Sequence, residues 1–132
     1  MIYGIGTDIV EIARIESALS RHGERFARKL LSDEEWQEFL LKGQAAAWLA
    51  KRFAAKEAFA KALGTGIRGE VTLPRIAVRN DALGRPVLVL DARLLALLDE
   101  RKIRAMHLSL SDERQFACAF VVLETLHKVP SS

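Results

Sequence analysis

Apolar residues fall into a helical regime in the first half of the chain and a strand-like one in the second. Residues Ile2 to Thr7 alternate loosely and include Gly4 and Gly6, which predicts a strand that another element approaches closely. Ile9, Ile12, Ile15 and Leu19 then recur at helical spacing, so a helix should follow, ended or interrupted by Gly23. Ser32 opens a second helix with Glu35 three residues on. The Ser32 hydroxyl can accept the Glu35 amide while the Glu35 carboxylate reaches back, a capping box. Gly43 closes that helix. The longest pattern is alanine-rich, runs from Ala45 to Leu63 and stops at Gly64-Thr65-Gly66.

Further on, Arg75 to Arg79 and Pro86 to Leu90 read as strands joined through residues 80–85. A short amphipathic helix covers Ala92 to Lys102. Strands at Ala105 to Leu110 and Gln115 to Leu123 flank a hairpin turn at Ser111-Asp112-Glu113-Arg114. Long helices among strands, with few regular βαβ units, imply an α+β fold with a largely antiparallel sheet.

Composition narrows the class. The chain has 132 residues, half of them hydrophobic, enough for one domain with a core and too few for two. We expect that domain to cover residues 1–124, with a flexible tail at 125–132. The longest run free of charged or strongly polar residues, Phe116 to Leu123, is far too short for a membrane span. The N-terminus lacks the basic-then-apolar order of a secretory signal, so a cytoplasmic location is expected. The single cysteine, Cys118, sits in that apolar run and is expected to be a small buried hydrophobe. A net charge of +3 permits an acidic partner without demanding one.

Several residues have both a structural and a chemical reading. Asp8 with Glu11 three residues later fits a capping box, yet a carboxylate beside Gly6 also suits a cation next to a ligand. Phe53, Glu57 and Lys61 are four residues apart and share one helix face. Glu57 and Lys61 are either a solvated ion pair or a cation ligand and a phosphate-binding ammonium on a rigid element. Gly64-Thr65-Gly66 is a helix end whose glycines would also let amides approach an anion. His107, Ser109 and Ser111 alternate with Leu108 and Leu110, so one strand face is polar, whether merely solvated or suited to phosphate or ribose. Arg14, Arg21, Arg25 and Arg28 would form a stripe on a continuous helix, either solvated or a dock for an acidic partner. Gly23 weakens the claim of the last two, although Arg14 and Arg21 survive it. Trp36, Phe39, Trp48 and Phe59 read as core. No zinc spacing is present, and His22 and His127 lie in segments that look exposed.

Taken together, Gly4-Ile5-Gly6-Thr7-Asp8-Ile9-Val10-Glu11-Ile12 and Arg52-Phe53-Ala54-Ala55-Lys56-Glu57-Ala58, the latter before Lys61-Ala62-Leu63-Gly64, resemble the two signatures of the holo-acyl-carrier-protein synthase family. His107-Leu108-Ser109-Leu110-Ser111, followed by Ala117 and Ala119, is similar to its third block. The likeness runs in order from residue 2 to about 124. One departure is Asp112, where many relatives in the wider superfamily carry His; the change is expected to tune the turn.

The resemblance implies a phosphopantetheinyl transferase-like fold and transfer of phosphopantetheine from coenzyme A to a serine of apo acyl carrier protein, for fatty acid biosynthesis. It makes Asp8 and Glu57 the ligands of a magnesium ion, which takes one or two carboxylates plus waters and phosphate oxygens. Lys61 would offset charge on the leaving adenosine bisphosphate, and a metal-bound water or Glu57 would take the serine proton. It also implies a homotrimer with sites between subunits. Lys61 and Gly64-Thr65-Gly66 would come from one chain. Gly84-Arg85-Pro86, His107 and Ser109 would come from its neighbour and hold the adenosine and its phosphates. Arg14 and Arg21, then Arg25, Phe26 and Arg28, would meet the acidic helix of the carrier protein. Two rivals fit less of the chain. A small nucleic-acid-binding module leaves Asp8 and Glu57 without purpose, and a metal-dependent phosphohydrolase would use the same carboxylates with water as nucleophile.

Overall fold

The structure is a computed structural model and describes residues 1–43 and 45–126. Strand β1 (Ile2–Glu11) is followed by helices α1 (Ile12–His22), α2 (Glu24–Leu30), α3 (Asp33–Leu40) and α4 (Ala46–Leu63). A 3-10 turn (Leu73–Arg75) leads into β2 (Ile76–Asn80) and β3 (Pro86–Leu90). Helix α5 (Ala92–Glu100) then precedes β4 (Ile103–Asp112) and β5 (Phe116–Thr125). The α+β class and the antiparallel pairing are as expected, but the strands form two sheets: β1-β5-β4, and the separate hairpin β2-β3.

The first strand departs most from expectation. It continues to Glu11 because β5 supplies a full ladder of partners, from Asp8 opposite Ala119 to Glu11 opposite Phe116. Asp8 is therefore inside a strand and caps no helix. The helix starts at Ile12, with Glu11 as an N-cap that makes no side-chain bond. Ile9 belongs to the strand too. Long-range pairing has overruled a local capping pattern. At Gly23, with φ 60° and ψ −144°, the chain changes direction and starts α2, a helix the apolar spacing did not separate from α1. Helix α3 ends at Leu40, before Gly43, whereas its capping box at Ser32 and Glu35 is present as expected. The hairpin turn is shorter than expected, occupying residues 113–115. Of the expected tail, Thr125 still belongs to β5, where its amide donates to Met1 O at 2.8 Å. Residues 127–132, with His127, lie outside the described part.

Strand alternation sorts the larger sheet into two faces. Gly4, Gly6, Asp8 and Val10 share one face with Leu123, Val121, Ala119 and Ala117 of β5, and with Met106, Leu108 and Leu110 of β4. Helix α4 lies on this face. A Cβ placed on Gly4 would sit 1.9 Å from Ala62 O, and one on Gly6 would sit 1.9 Å from Ala58 O. The two glycines thus let a helix backbone touch a strand backbone, the close approach their pattern predicts. Val121 and Leu123 have no exposed surface, and each such aliphatic contributes about 1.5–3 kcal/mol by leaving water. Ile5, Thr7 and Ile9 point the other way, alongside Val122, Phe120, Cys118, His107, Ser109 and Ser111. Cys118 is consequently half-buried, not a core residue. Phe59 is core, while Trp36, Phe39 and Trp48 form a partly buried aromatic row under α3, with centroids 5.4 and 6.3 Å apart.

Candidate active site

The glycine contacts place the next residue on the same strand face, Asp8, against the last turns of α4. Lys61, the exposed residue of that helix, donates from Nζ to Asp8 Oδ1 at 2.9 Å and to Thr7 O at 3.0 Å. The Asp8 side chain is only 16% exposed. The Lys61 ammonium is therefore paired with Asp8 from another element, not with Glu57 on its own helix as the four-residue spacing suggested. Burial pushes the Glu57 carboxyl up; the nearby Asp8 charge adds to this and Lys61 opposes it. A carboxylate whose proton affinity is raised by a neighbouring carboxylate marks a place where a cation would be favourable. Among the described residues no cluster of three metal-ligating side chains exists. Two carboxylates open to a groove fit a magnesium ion, which keeps most of its shell for water and phosphate oxygens.

The groove beside this trio encloses about 730 Å³ and is lined by Asp8, Glu57, Arg14, Arg21, Phe26 and Phe53, among others. Arg14 and Arg21 are two turns apart on α1, at the groove's rim. The four-arginine stripe itself does not survive, because Gly23 carries Arg25 and Arg28 onto α2. Arg25 is exposed outside the groove lining, and Arg28 is bound to Asp33 at 2.5 Å beneath the Trp36 ring. Phe26 does reach the groove. The loop after α4 behaves as a helix end: Gly64, at φ 90°, donates to Ala60 O and Lys61 O, and the Gly66 amide also returns to Ala60 O at 3.2 Å. Those two amides are used within the chain. Thr65 Oγ1 donates to Gly66 O at 2.8 Å.

A second group of predicted residues gathers elsewhere. Arg85, Pro86, His107 and Ser109 line one hollow of about 480 Å³. Asp81 anchors this turn, accepting the Leu83 and Arg85 amides at 2.9 Å each, and those bonds hold its carboxyl below the usual range. His107 Nε2 lies 2.5 Å from Glu124 Oε1. Gly84 and Pro86 also border a third hollow, whose basic lining of Lys42, Lys51 and Arg52 beside Trp48 was not anticipated from the sequence. Arg52 stood inside a recognised motif, but nothing local marked Lys42 or Lys51. Asp112 ends β4 instead of forming the turn, and its carboxylate lies 3.5 Å from Lys51.

One chain does not unite the two groups. Ser109 is opposite Phe120, itself opposite Thr7, while Asp8 is opposite Ala119, itself opposite Leu110. His107 and Ser109 therefore leave the sheet on one side, and Asp8, with Glu57 and Lys61, occupies the other.

The chain is similar to known proteins over nearly its whole length. Residues 4–121 match the family model described as the 4'-phosphopantetheinyl transferase superfamily, and the chain belongs to that superfamily. Within it, the chain is 56% identical over 124 residues to a holo-[acyl-carrier-protein] synthase of Nitrosospira multiformis, covering 94% of this chain and 99% of that protein. The crystal structure of holo-[acyl-carrier-protein] synthase from Neisseria meningitidis superposes with a TM-score of 0.91 at 50% identity, covering 95% of this chain and all of that one. A Bacillus anthracis holo-(acyl-carrier-protein) synthase in complex with CoA (3',5'-ADP) gives a TM-score of 0.79 at 42% identity, over 95% and 98% of the two chains.

Proposed function

We propose that this protein transfers 4'-phosphopantetheine from coenzyme A to a serine of apo acyl carrier protein, a cytoplasmic step of fatty acid biosynthesis. The observation that carries the reading is the Asp8–Lys61 pair beside Glu57, open to an arginine-rimmed groove, in a chain of this superfamily. Asp8 and Glu57 would hold a magnesium ion, which when bound supplies positive charge to the pyrophosphate of coenzyme A. Lys61, half exposed and already directed at Asp8, is placed to balance charge on the leaving group. The serine oxygen forms a bond to the phosphorus attached to pantetheine. The bond from that phosphorus to the bridging oxygen breaks, and adenosine 3',5'-bisphosphate departs with it. The serine proton needs an acceptor. Glu57 is the chain's own candidate, because burial and Asp8 make its carboxylate more basic than an ordinary one.

The placement of His107 and Ser109 supports a site shared between copies. Lys61 belongs to the helix covering one face of the sheet and His107 leaves the opposite face, so a pocket using both requires two chains. The open face, with Ile5 53%, Ile9 65% and Phe120 45% exposed, offers the surface for assembly into a homotrimer. Arg85 and Pro86, beside His107 and Ser109, would then border the adenosine. Arg14, Arg21 and Phe26 would receive the acidic helix of the carrier protein, charge at the rim and an aromatic between. Arg25 and Arg28 would act at its edge. No helix among the described residues is long and apolar enough to cross a membrane.

The test is mass spectrometry of apo acyl carrier protein incubated with coenzyme A and magnesium. A mass increase by one phosphopantetheine, on one serine, is expected. Release of phosphate from coenzyme A with the carrier unchanged would instead assign hydrolysis.

A further inference from the structure

The motif that supplies Glu57 also carries Lys56, to which the proposed reaction gives no part. Lys56 has no exposed surface. A lysine in that position needs a partner, and it has two: Nζ donates to Glu35 Oε1 at 2.6 Å and to Leu73 O at 2.9 Å. Glu35 is itself 2% exposed. Its Oε1 also accepts the Ser32 amide at 3.0 Å, and its Oε2 accepts the Val78 amide at 2.9 Å. Arg52 Nε stands 3.8 Å from Oε2, too far for a hydrogen bond, and finds no other partner. The Glu35–Lys56 pair thus ties together the first turn of α3, the middle of α4, the 3-10 turn and β2.

Helix α4 needs such a tie for a reason visible in its own sequence. Leu49, Ala50, Ala54, Ala58, Phe59 and Ala60 are all buried, yet they point around most of the circumference of the helix. An amphipathic helix takes its rotation from its apolar stripe, and α4 has no single stripe to follow. Most of its core contacts are methyl groups, which resemble one another under rotation. A slip of one residue would turn Glu57 by about 100° away from Asp8. The glycine contacts set how near α4 lies to β1. A buried ion pair is far less tolerant of rotation, because a displaced charge would be left unpaired in the core.

We infer that the Glu35–Lys56 ion pair is the pin that sets the rotation of α4, so that Glu35 and Lys56 act as positioning residues that hold Glu57 toward Asp8. The inference rests on the reading of Asp8 and Glu57 as cation ligands.

The double variant E35Q/K56M removes both charges while keeping side-chain length and an amide oxygen for the Ser32 amide. Circular dichroism and thermal melting establish that it folds. Titration with Mn²⁺ followed by electron paramagnetic resonance then reads the cation site without substrate or turnover. The expected result is a folded protein whose Mn²⁺ dissociation constant rises about tenfold or more, with kcat falling and the KM for coenzyme A little changed. K56Q keeps a hydrogen bond to Glu35 but leaves that buried charge without its cation, so its Mn²⁺ dissociation constant should rise at least as far. It is the folded comparison if the double variant unfolds. Wild-type Mn²⁺ affinity in either folded variant overturns the pin. Equal Mn²⁺ binding by wild type and D8N would instead remove the cation site, and the positioning role with it.

Discussion

The two faces of the three-stranded sheet come from the same three strands and have opposite fates. One face is closed by α4, with Ala117, Ala119, Val121 and Leu123 essentially inaccessible. The other leaves Ile5, Ile9 and Phe120 open, interleaved with His107, Ser109 and Ser111. Hydrophobicity does not separate them, since both carry large aliphatics. Gly4 and Gly6 on one face admit a helix backbone, whereas the corresponding side chains of β1 on the other, Ile5 and Ile9, hold any partner at side-chain distance. The closed face therefore fixes the geometry of Asp8, Glu57 and Lys61 within the chain. The open face suits a partner that arrives as a separate body.

The largest effect should come from Gly6→Ala, which sets a methyl against Ala58 O on the closed face. Because the obstacle is backbone, α4 must move, and we expect a loss of about 3 kcal/mol or more in chemical denaturation, with cation binding lost alongside. A stability near wild type would show that the two elements are not in backbone contact.

Asp8→Asn and Glu57→Gln should leave folded proteins that transfer at least about a hundredfold more slowly, since even residues behind metal ligands commonly cost 10–100-fold. Near-normal transfer at limiting magnesium would remove the ligand assignment. Glu57→Gln carries a second readout, because Glu57 binds its proton more tightly folded than unfolded. Its protonation adds stability that is complete below the ordinary glutamate range and disappears as pH rises through the raised value. Without divalent cation, the permanently neutral Glu57→Gln protein should melt above wild type near neutral pH. The two curves should converge below about pH 4.

The open face is tested by mixing. Lys61→Ala and His107→Ala chains, each inactive alone, should regain activity on co-refolding, because about a quarter of shared sites would receive both intact halves. Full inactivity of the mixture, or an active monomer in sedimentation, would return the site to one chain. Ile9→Arg, by contrast, should prevent assembly while leaving the closed face folded.

The smallest effects are expected at the rim. Arg14→Ala and Arg21→Ala should each weaken carrier-protein binding by about 0.2–1 kcal/mol, as exposed pairs do. Charge reversal at both should exceed either change, and raising salt should narrow the gap from wild type. Steady-state kinetics varying each substrate would read this as a carrier-protein KM effect. A defect confined to coenzyme A would assign the arginines elsewhere.

Short-range patterns were legible along the chain because their causes are local. The capping box at Ser32 and Glu35, the helix end at Gly64 and the alternation from His107 to Ser111 each depend on neighbours a few residues away. The glycine pair in β1 announced a close approach, and the three signature blocks carried the family. Asp8 misled for the same reason: its capping pattern is local, whereas the β5 ladder that overruled it is formed by residues more than a hundred positions later. The division of the arginines depended on the backbone turn at Gly23, which periodicity does not encode. Lys61 could be placed on the Glu57 face from spacing, but its bond to Asp8 arises only when β1 crosses α4. Sequence thus determined which residues could do chemistry and which short elements would hold them. Tertiary structure alone decided which sheet face each would occupy, because sidedness follows from strand register, and register is set by long-range packing.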